Sequence, residues 1–190
     1  MKINKSTIWS FILLVVIAAV YRIIPGRPFG FAPQIAMALF AGSVIKDKKY
    51  SFLLPLLSMF VSDALYEVLY RSGITPIAGF YGGQITNYIL FAGLTVIGFW
   101  VKKSNIAHII GGSLVAATVY FLVSNFVVWI GGGLALNNLP YAKTWTGITE
   151  CYTAAIPFYL NSIYATLTFS VILFGAYYLV NKYALKNTLA

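Results

Sequence analysis

The sequence predicts an all-helical integral membrane protein that crosses the bilayer six times. Of its 190 residues, 60% are hydrophobic and only 9% are charged, and the mean hydropathy is +0.84. A water-soluble domain of this size needs a polar exterior, which this composition cannot supply. The apolar residues also fall into segments close to the roughly 20 residues that a helix needs to cross the bilayer core. We therefore expect a single membrane domain over residues 1–190.

Six apolar segments are predicted to span the membrane. The first follows Lys5 and has no small-residue cleavage site, which favours a retained helix over a removed signal peptide. The second is short, so it is expected to be tilted, shielded by its neighbours or re-entrant. The third follows the Lys-rich turn 46–50, the fourth and fifth flank Lys102 and Lys103, and Lys182 follows the sixth. The predicted spans are 6–24, 33–45, 51–70, 82–101, 105–130 and 153–180.

The positive residues divide unequally between the two sides of this arrangement, with nine on one side and four on the other. Short loops rich in Lys and Arg stay in the cytoplasm, so both termini are predicted to be cytoplasmic. Because the positive residues stand at segment ends and form no single patch, they indicate a lipid bilayer and no nucleic-acid partner. The larger set is Lys2, Lys5, Lys46, Lys48, Lys49, Lys102, Lys103, Lys182 and Lys186, and the smaller set is Arg22, Arg27, Arg71 and Lys143.

Three long connections, at 22–34, 71–84 and 131–152, are predicted to face outward. Each mixes Gly with aromatic residues, and loops longer than about a dozen residues without their own structure are often functional. They are expected to close a ligand pocket, the alternative being ordinary connections that carry interfacial aromatic residues. In the third connection, Gly131–Gly133 would serve as a hinge and Trp145 as flat apolar area against a ligand.

Two carboxylates lie within the third span. Asp63 and Glu67 are four residues apart and therefore share one helical face. An acid at this depth is expected to face the protein interior or a wet cavity. Asp63 is predicted either to bind a ligand or a proton or to form an ion pair, and both roles remain open. Glu67 is predicted to form a structural ion pair with one of the arginines Arg22, Arg27 and Arg71.

Amide side chains are also concentrated in the outer halves of the spans. Asn87, Asn125 and Asn161 all lie there, and residues that only held helices together would have little reason to gather at one depth. This bias favours a site that opens to the outside. The residues predicted to bind substrate are Asp63, Tyr81, Asn87, Asn125, Trp129, Asn138, Tyr141, Trp145, Cys151 and Tyr152.

The sequence contains no P-loop, no His-Glu-x-x-His motif and no plausible Ser–His–Asp set, so neither an enzyme nor a resident cofactor is expected. Cys151 is expected at the start of the last helix, where the partial positive charge of the helix terminus would favour a thiolate. Such a thiolate could ligate a soft or borderline metal, for example the cobalt of a corrinoid. The alternative is a small buried apolar residue.

Two halves of the sequence carry a family pattern. The outline R-x-x-P, P-x-x-A-x-A-L-F-A-G and P-L-x-S-x-x-x-S-D runs from Arg22 to Asp63. The outline S-N-F-x-V-W and Y-x-K-T-x-x-G-x-x-x-C-Y-x-A-A-I-P-F runs from Ser124 to Phe158. Together they resemble a bacterial family of predicted transport proteins. That family is similar to the substrate-specific S components of energy-coupling-factor vitamin transporters, including the solitary cobalamin-type ones.

The resemblance implies an S-component-like bundle of six helices in the bacterial inner membrane, which binds a vitamin-like micronutrient beneath its outer loops. Cobalamin or another cofactor precursor would be the ligand. Most S components join an ATPase and coupling module, but the A-x-x-x-A docking signature is absent from FILLVVIAAVYR. A shared module, another membrane subunit and independent action therefore remain alternatives. A second function class is a non-transporting structural subunit of a larger inner-membrane complex.

Overall fold

The computed structural model describes the backbone of residues 5–188 and the side chains of residues 9–182. This part of the chain is all-helical, as the sequence predicts, and contains no β-strand. Part of the predicted topology rests on groups that lie outside the described residues. These are the two termini, Lys2, and the side chains of Lys5 and Lys186. The helices are α1 (Lys5–Ile23), α2 (Gln34–Val44), α3 (Lys48–Ser51), α4 (Leu53–Arg71), α5 (Gln84–Gly98), α6 (Ile106–Ile130) and α7 (Trp145–Thr188).

Three helical segments are long and apolar enough to cross a membrane, namely Lys48–Arg71, Ile106–Ile130 and Trp145–Lys182. The other apolar helices are shorter, at Trp9–Ile23, Gln34–Val44 and Gln84–Gly98. Large apolar side chains such as Trp9, Ile89 and Val171 are exposed on the outside of the bundle. Contiguous apolar surface of this kind is costly in water and is typical of helices that face lipid.

The short helix α2 lies at the centre of the bundle and contacts α4, α5, α6 and α7. Nine consecutive residues, from Gln34 to Gly42, are buried. Of the three possibilities for the short second span, the structure therefore shows shielding by its neighbours. A helix whose whole circumference is apolar and covered by protein does not need the length of a lipid-facing span.

Close contact between α2 and α5 depends on two glycines. A Cβ atom added at Gly98 would stand 2.6 Å from the carbonyl oxygen of Leu39 and 3.0 Å from the Cα atom of Gly42. Side chains at this crossing would push the two backbones apart. Small residues allow helices to approach closely within membranes, where dispersion contacts rather than the hydrophobic effect hold them together.

The predicted sixth span begins too late. It was expected at 153–180, whereas α7 begins at Trp145. Thr144 explains the difference, because its Oγ1 atom accepts a hydrogen bond from the Gly147 N–H group at 3.2 Å. A threonine in this position satisfies an N–H group that the first helical turn leaves free. The predicted span did not include residues 145–152, WTGITECY, in which apolar and polar side chains are mixed.

The three long connections lie together at one end of the bundle, which we call the loop end. They comprise residues 24–33, 72–83 and 131–144. The first contacts α7 through a hydrogen bond from Asn161 Nδ2 to the Phe29 carbonyl oxygen at 2.9 Å. The second and third line one common cavity. The opposite end has only the short connections 45–52 and 99–105, which carry most of the described lysines.

Candidate functional site

An enclosed cavity lies beneath the first connection of the loop end, with lining residues from α1, α2, α4, α5, α6 and α7. We call it the polar cavity, and its volume is about 160 Å³. Polar and apolar groups both line it, whereas the larger cavities nearby are mainly apolar. Its polar lining residues are Arg22, Arg27, Gln34, Asn87, Tyr120 and Ser162.

Two side chains at the polar cavity have unused hydrogen-bonding atoms. Gln34 is only 3% exposed, and neither its Nε2 atom nor its Oε1 atom has a partner. The Nε atom of Arg27 is also buried without a partner. The great majority of buried polar side-chain atoms in proteins are hydrogen-bonded. These three atoms belong to residues that line the cavity, and they have hydrogen-bonding capacity left for a ligand that reaches them.

Asp63 supports the cavity from behind without lining it. Its Oδ1 atom accepts from the guanidinium group of Arg22, and the side chain is 1% exposed. Its Oδ2 atom accepts from Gln84 Nε2 at 2.7 Å and from the Tyr88 hydroxyl at 2.8 Å. Because protein groups use both oxygens, Asp63 holds Arg22 at the cavity wall. Of the roles left open for Asp63, the structure shows the ion pair, and contact with a ligand stays a prediction.

The second acid of the pair lies farther out. Glu67 Oε1 accepts from Arg71 Nε at 2.7 Å, and its Oε2 atom accepts from the backbone N–H of Gly79 at 3.2 Å. Of the three arginines considered for Glu67, Arg71 is the partner. Arg22 instead pairs with Asp63, and Arg27 donates to the carbonyl oxygen of Phe31 at 2.6 Å.

A chain of polar groups continues from the polar cavity toward the second connection. The Tyr120 hydroxyl donates to Asn87 Oδ1 at 3.2 Å, and Asn87 Nδ2 donates to the Tyr81 hydroxyl at 2.7 Å. Tyr81 and Asn87 also line a cavity of about 460 Å³ whose other walls include Gly83 and Gly131. The structure thus brings two of the predicted substrate-binding residues together at the loop end.

A third cavity adjoins the polar cavity on the side of α7. Its volume is about 290 Å³, and we call it the aromatic cavity because Phe29, Phe121, Phe158 and Tyr159 line it. It shares three lining residues with the polar cavity, namely Gly30, Tyr120 and Ser162. Asn125 also lines it, although its Nδ2 atom donates within α6 to the Phe121 carbonyl oxygen at 2.7 Å.

The first connection is fixed over these cavities by close contact with α7. Gly30 has a φ angle of +82°, and an added Cβ atom would stand 2.6 Å from the Phe158 carbonyl oxygen. Ser162 Oγ donates to the Gly30 carbonyl oxygen at 3.2 Å. Positive φ favours glycine, and the nearby backbone excludes a side chain here. The connection therefore forms a fitted cover.

The third connection differs from the predicted mobile lid over residues 131–152. Only residues 131–144 are non-helical, and a tight turn joins Leu134 to Pro140 as an isolated antiparallel bridge. The Gly131 and Gly133 N–H groups bond back to α6 carbonyl oxygens at 2.8 Å each. These glycines therefore end α6, and the hinge expected from them stays a prediction. Asn138, predicted to bind substrate, is exposed in the turn at φ +60°.

Tryptophan and tyrosine side chains hold this turn against the bundle. Trp129 Nε1 donates to the Ala142 carbonyl oxygen at 2.9 Å, and Lys143 donates to the Trp129 carbonyl oxygen. Tyr141 is buried, and this burial raises the pKa of its hydroxyl group above the usual range. Trp129 and Tyr141 thus anchor the connection, and the ligand contact expected of them stays a prediction.

Trp145 does not face a closed pocket. It is 85% exposed and lies on an open apolar groove between α6 and α7, together with Tyr152 and Tyr159. The groove measures about 590 Å³. Because its lining is apolar and open to the outside of the bundle, it resembles the lipid-facing surface around it.

Cys151 lies inside α7 rather than at its start, six residues after Trp145. The partial charge of a helix terminus acts within the first turn, so the predicted activation of this thiol by the helix is wrong. Cys151 is buried, and its Sγ atom contacts the Asn125 carbonyl oxygen at 3.6 Å. Among the described residues no group of three or more His, Cys, Asp or Glu side chains could hold a metal ion. The neighbouring Tyr152 donates to the Leu122 carbonyl oxygen at 2.6 Å.

Sequence reasoning missed Tyr120 and Ser162 at the polar cavity, and it also missed Gln34. Gln34 is the single polar side chain at the start of an otherwise apolar segment, QIAMALFAG, and that contrast was the available signal. Gln84 and Tyr88, the partners of Asp63, were also missed. They stand four residues apart at the start of α5, which places them on one helical face.

Comparison with known proteins gives one relationship. A model for a family of unknown function, DUF6580, matches residues 2–188. No curated protein and no solved structure matches the chain. Because the family match extends over nearly the whole sequence, the chain belongs to the DUF6580 family of unknown function.

Proposed function

We propose that this protein binds a small, vitamin-like micronutrient at the loop end of its bundle and takes part in its uptake across the bacterial inner membrane. The observation that carries the proposal is Gln34, whose amide is buried at an enclosed cavity with neither polar atom bonded. A buried group without its hydrogen bond costs about 1–3 kcal/mol. A ligand that bonds to Gln34 would recover this cost.

The proposed membrane arrangement uses α1, α2, α4, α5, α6 and α7 as six spans, with both termini in the cytoplasm and the loop end outside. Two observations support it. Three helices have the length and composition of spans. The loop end carries Arg22, Arg27, Arg71 and Lys143, whereas the described lysines 46, 48, 49, 102 and 103 lie at the opposite end. Cytoplasmic loops carry the excess of positive charge in membrane proteins.

The volume of the polar cavity favours a small ligand over a corrinoid. Pockets for drug-sized ligands usually measure about 300–1,000 Å³, and this cavity measures about 160 Å³. Within the resemblance to S components, a small cofactor precursor therefore fits better than cobalamin. Energy for uptake would come from a separate chain, either an ATPase and coupling module or another membrane subunit.

Ligand co-purification tests the proposal. The protein is purified in mild detergent, and small molecules extracted from it are identified by mass spectrometry. Three forms are compared: the wild type, Gln34→Leu, which keeps the side-chain volume but removes the amide, and Asn181→Leu. Asn181 is an exposed amide that bonds to the Tyr177 carbonyl oxygen, far from the cavity. We expect a small molecule with the wild type and with Asn181→Leu, and its loss from a folded, monodisperse Gln34→Leu protein.

Two results would count against this function. Retention of the molecule by Gln34→Leu would place its site elsewhere in the protein. A stable partner chain without any small molecule, in all three forms, would favour the structural-subunit alternative.

A further inference from the structure

One positive charge at the polar cavity has no acidic partner in the described part of the chain. Arg22 is neutralised by Asp63, but Arg27 is in no ion pair there. The whole sequence contains only four acidic residues. Apart from Asp63, these are Glu67, which pairs with Arg71, Asp47, which caps α3 at the opposite end, and Glu150, which is exposed on α7.

The unbonded polar atoms of Arg27 and Gln34 at the cavity are also suited to an anion. Arg27 uses its NH1 atom on the Phe31 carbonyl oxygen at 2.6 Å, while its Nε atom remains buried and unbonded. Gln34 adds a free amide N–H group and a free amide oxygen. A guanidinium group beside an amide donor is suited to an oxyanion, because hydrogen bonds between charged partners are about twice as strong as neutral ones.

We propose that the ligand is a small organic anion whose carboxylate or phosphate oxygens bind Arg27 and Gln34. The Gln34 amide nitrogen and Arg27 Nε donate to the anion, and Gln34 Oε1 accepts from an N–H or O–H group beside it. This inference rests on the proposed function, since it specifies the chemistry of the ligand at the same site. It excludes a cationic ligand, which Arg27 would repel.

The remainder of the ligand has an apolar direction in which to extend. The aromatic cavity adjoins the polar cavity at Gly30, Tyr120 and Ser162 and is walled by phenylalanine and tyrosine rings. Flat apolar groups pack well against such rings. The polar cavity itself offers room for about five water molecules by volume. The anionic group therefore occupies the polar cavity, and a ring occupies the aromatic one.

Three probes of equal size and different charge test this inference: benzoate, benzamide and benzylammonium. Binding to purified protein in phosphatidylcholine nanodiscs is measured by isothermal titration calorimetry, together with inorganic phosphate as an anion without a ring. The variants are Arg27→Gln and, as a matched control, Arg71→Gln, which removes an exposed arginine outside the cavity. We expect benzoate to bind the wild type and Arg71→Gln, and to bind Arg27→Gln about tenfold more weakly or worse.

Each other outcome has a definite meaning. Equal or tighter binding of benzamide or benzylammonium overturns the anion assignment, as does benzoate affinity that Arg27→Gln leaves unchanged. Failure of benzoate and phosphate alike also overturns it. A neutral molecule that co-purifies and depends on Gln34 would refute the anion and leave the proposed function intact. Phosphatidylglycerol added to the nanodiscs distinguishes two sources of the anion. If it competes with benzoate, the natural anion is a lipid headgroup. If the affinity for benzoate is unchanged, the natural anion is a soluble molecule.

Discussion

Arg22 of α1 donates to the carboxylate of Asp63 in α4, and this one ion pair joins the wall of the polar cavity to three helices. The Asp63 carboxylate also accepts from Gln84 and Tyr88 of α5. Arg22 lines the polar cavity and donates to Ser62 Oγ at 2.5 Å. The wall of the polar cavity and a structural ion pair therefore share the Arg22 side chain.

Replacement of Asp63 by Asn should destabilise the protein strongly. The change leaves the mostly buried Arg22 guanidinium without its anion, and breaking a buried pair from one side costs about 3–5 kcal/mol. Thermal unfolding of the detergent-solubilised protein measures the loss. Glu67→Gln serves as the control, because its partner Arg71 is 77% exposed and solvent screens such a pair. Equal losses of thermal stability in the two variants would show that the Asp63 network stabilises the protein no more than the exposed Glu67–Arg71 pair does.

A single methyl group added where α2 and α5 cross should destabilise the protein. Gly98→Ala places a Cβ atom 2.6 Å from the Leu39 carbonyl oxygen, and overpacking of this kind costs about 1–3 kcal/mol. In Gly93→Ala, on the same helix, the new Cβ atom has no neighbour within 4 Å. This variant should therefore gain about 0.5–1 kcal/mol in free energy of unfolding, because alanine favours the helix more than glycine does. Melting temperatures of the two variants check the order. A Gly98→Ala protein as stable as Gly93→Ala would mean that the two helices do not approach so closely.

The cover over the cavities should depend on Gly30 more than on Gly26. Both residues have positive φ angles, so alanine strains the backbone at either position. Only Gly30 also faces a neighbour, the Phe158 carbonyl oxygen at 2.6 Å, whereas Gly26 meets nothing within 4 Å. We expect Gly30→Ala to lose clearly more stability and to retain less of any co-purified ligand. Matching melting curves for the two variants would contradict the close contact between this connection and α7.

The proposed topology predicts that residues 143 and 103 are accessible from opposite sides of the membrane. Lys143 lies at the loop end, and Lys103 lies in the connection before α6, where its Nζ atom donates to the Tyr177 hydroxyl. In a Cys151→Ser background, Lys143→Cys in intact cells should react with an impermeant maleimide, and Lys103→Cys should react only after lysis. The reverse result would invert the orientation and place the polar cavity on the cytoplasmic side.

Local pattern was sufficient to locate the helices. Five of the six predicted spans begin and end within a few residues of a helix, because a lipid-exposed apolar segment satisfies its backbone hydrogen bonds internally only as a helix. The exception is α7, which begins eight residues before the predicted span, after the Thr144 cap, and ends eight residues beyond it, at Thr188. Residue type likewise pointed to Asp63 and Asn87 as important polar positions, although it did not give their roles.

What the sequence by itself determined is the helical, membrane-compatible character of the chain, since composition and apolar period act over a few neighbouring residues. The tertiary structure alone decided which polar groups meet. Arg22 and Asp63 are 41 residues apart, and Asn161 and Phe29 are 132 apart, so no local pattern could pair them. Local pattern could not reveal the role proposed for Gln34 either, because that role depends on the absence of a hydrogen-bond partner for its amide. Packing of α2 among four helices buries its amide, and only the assembled bundle shows that nothing in the described chain bonds to it.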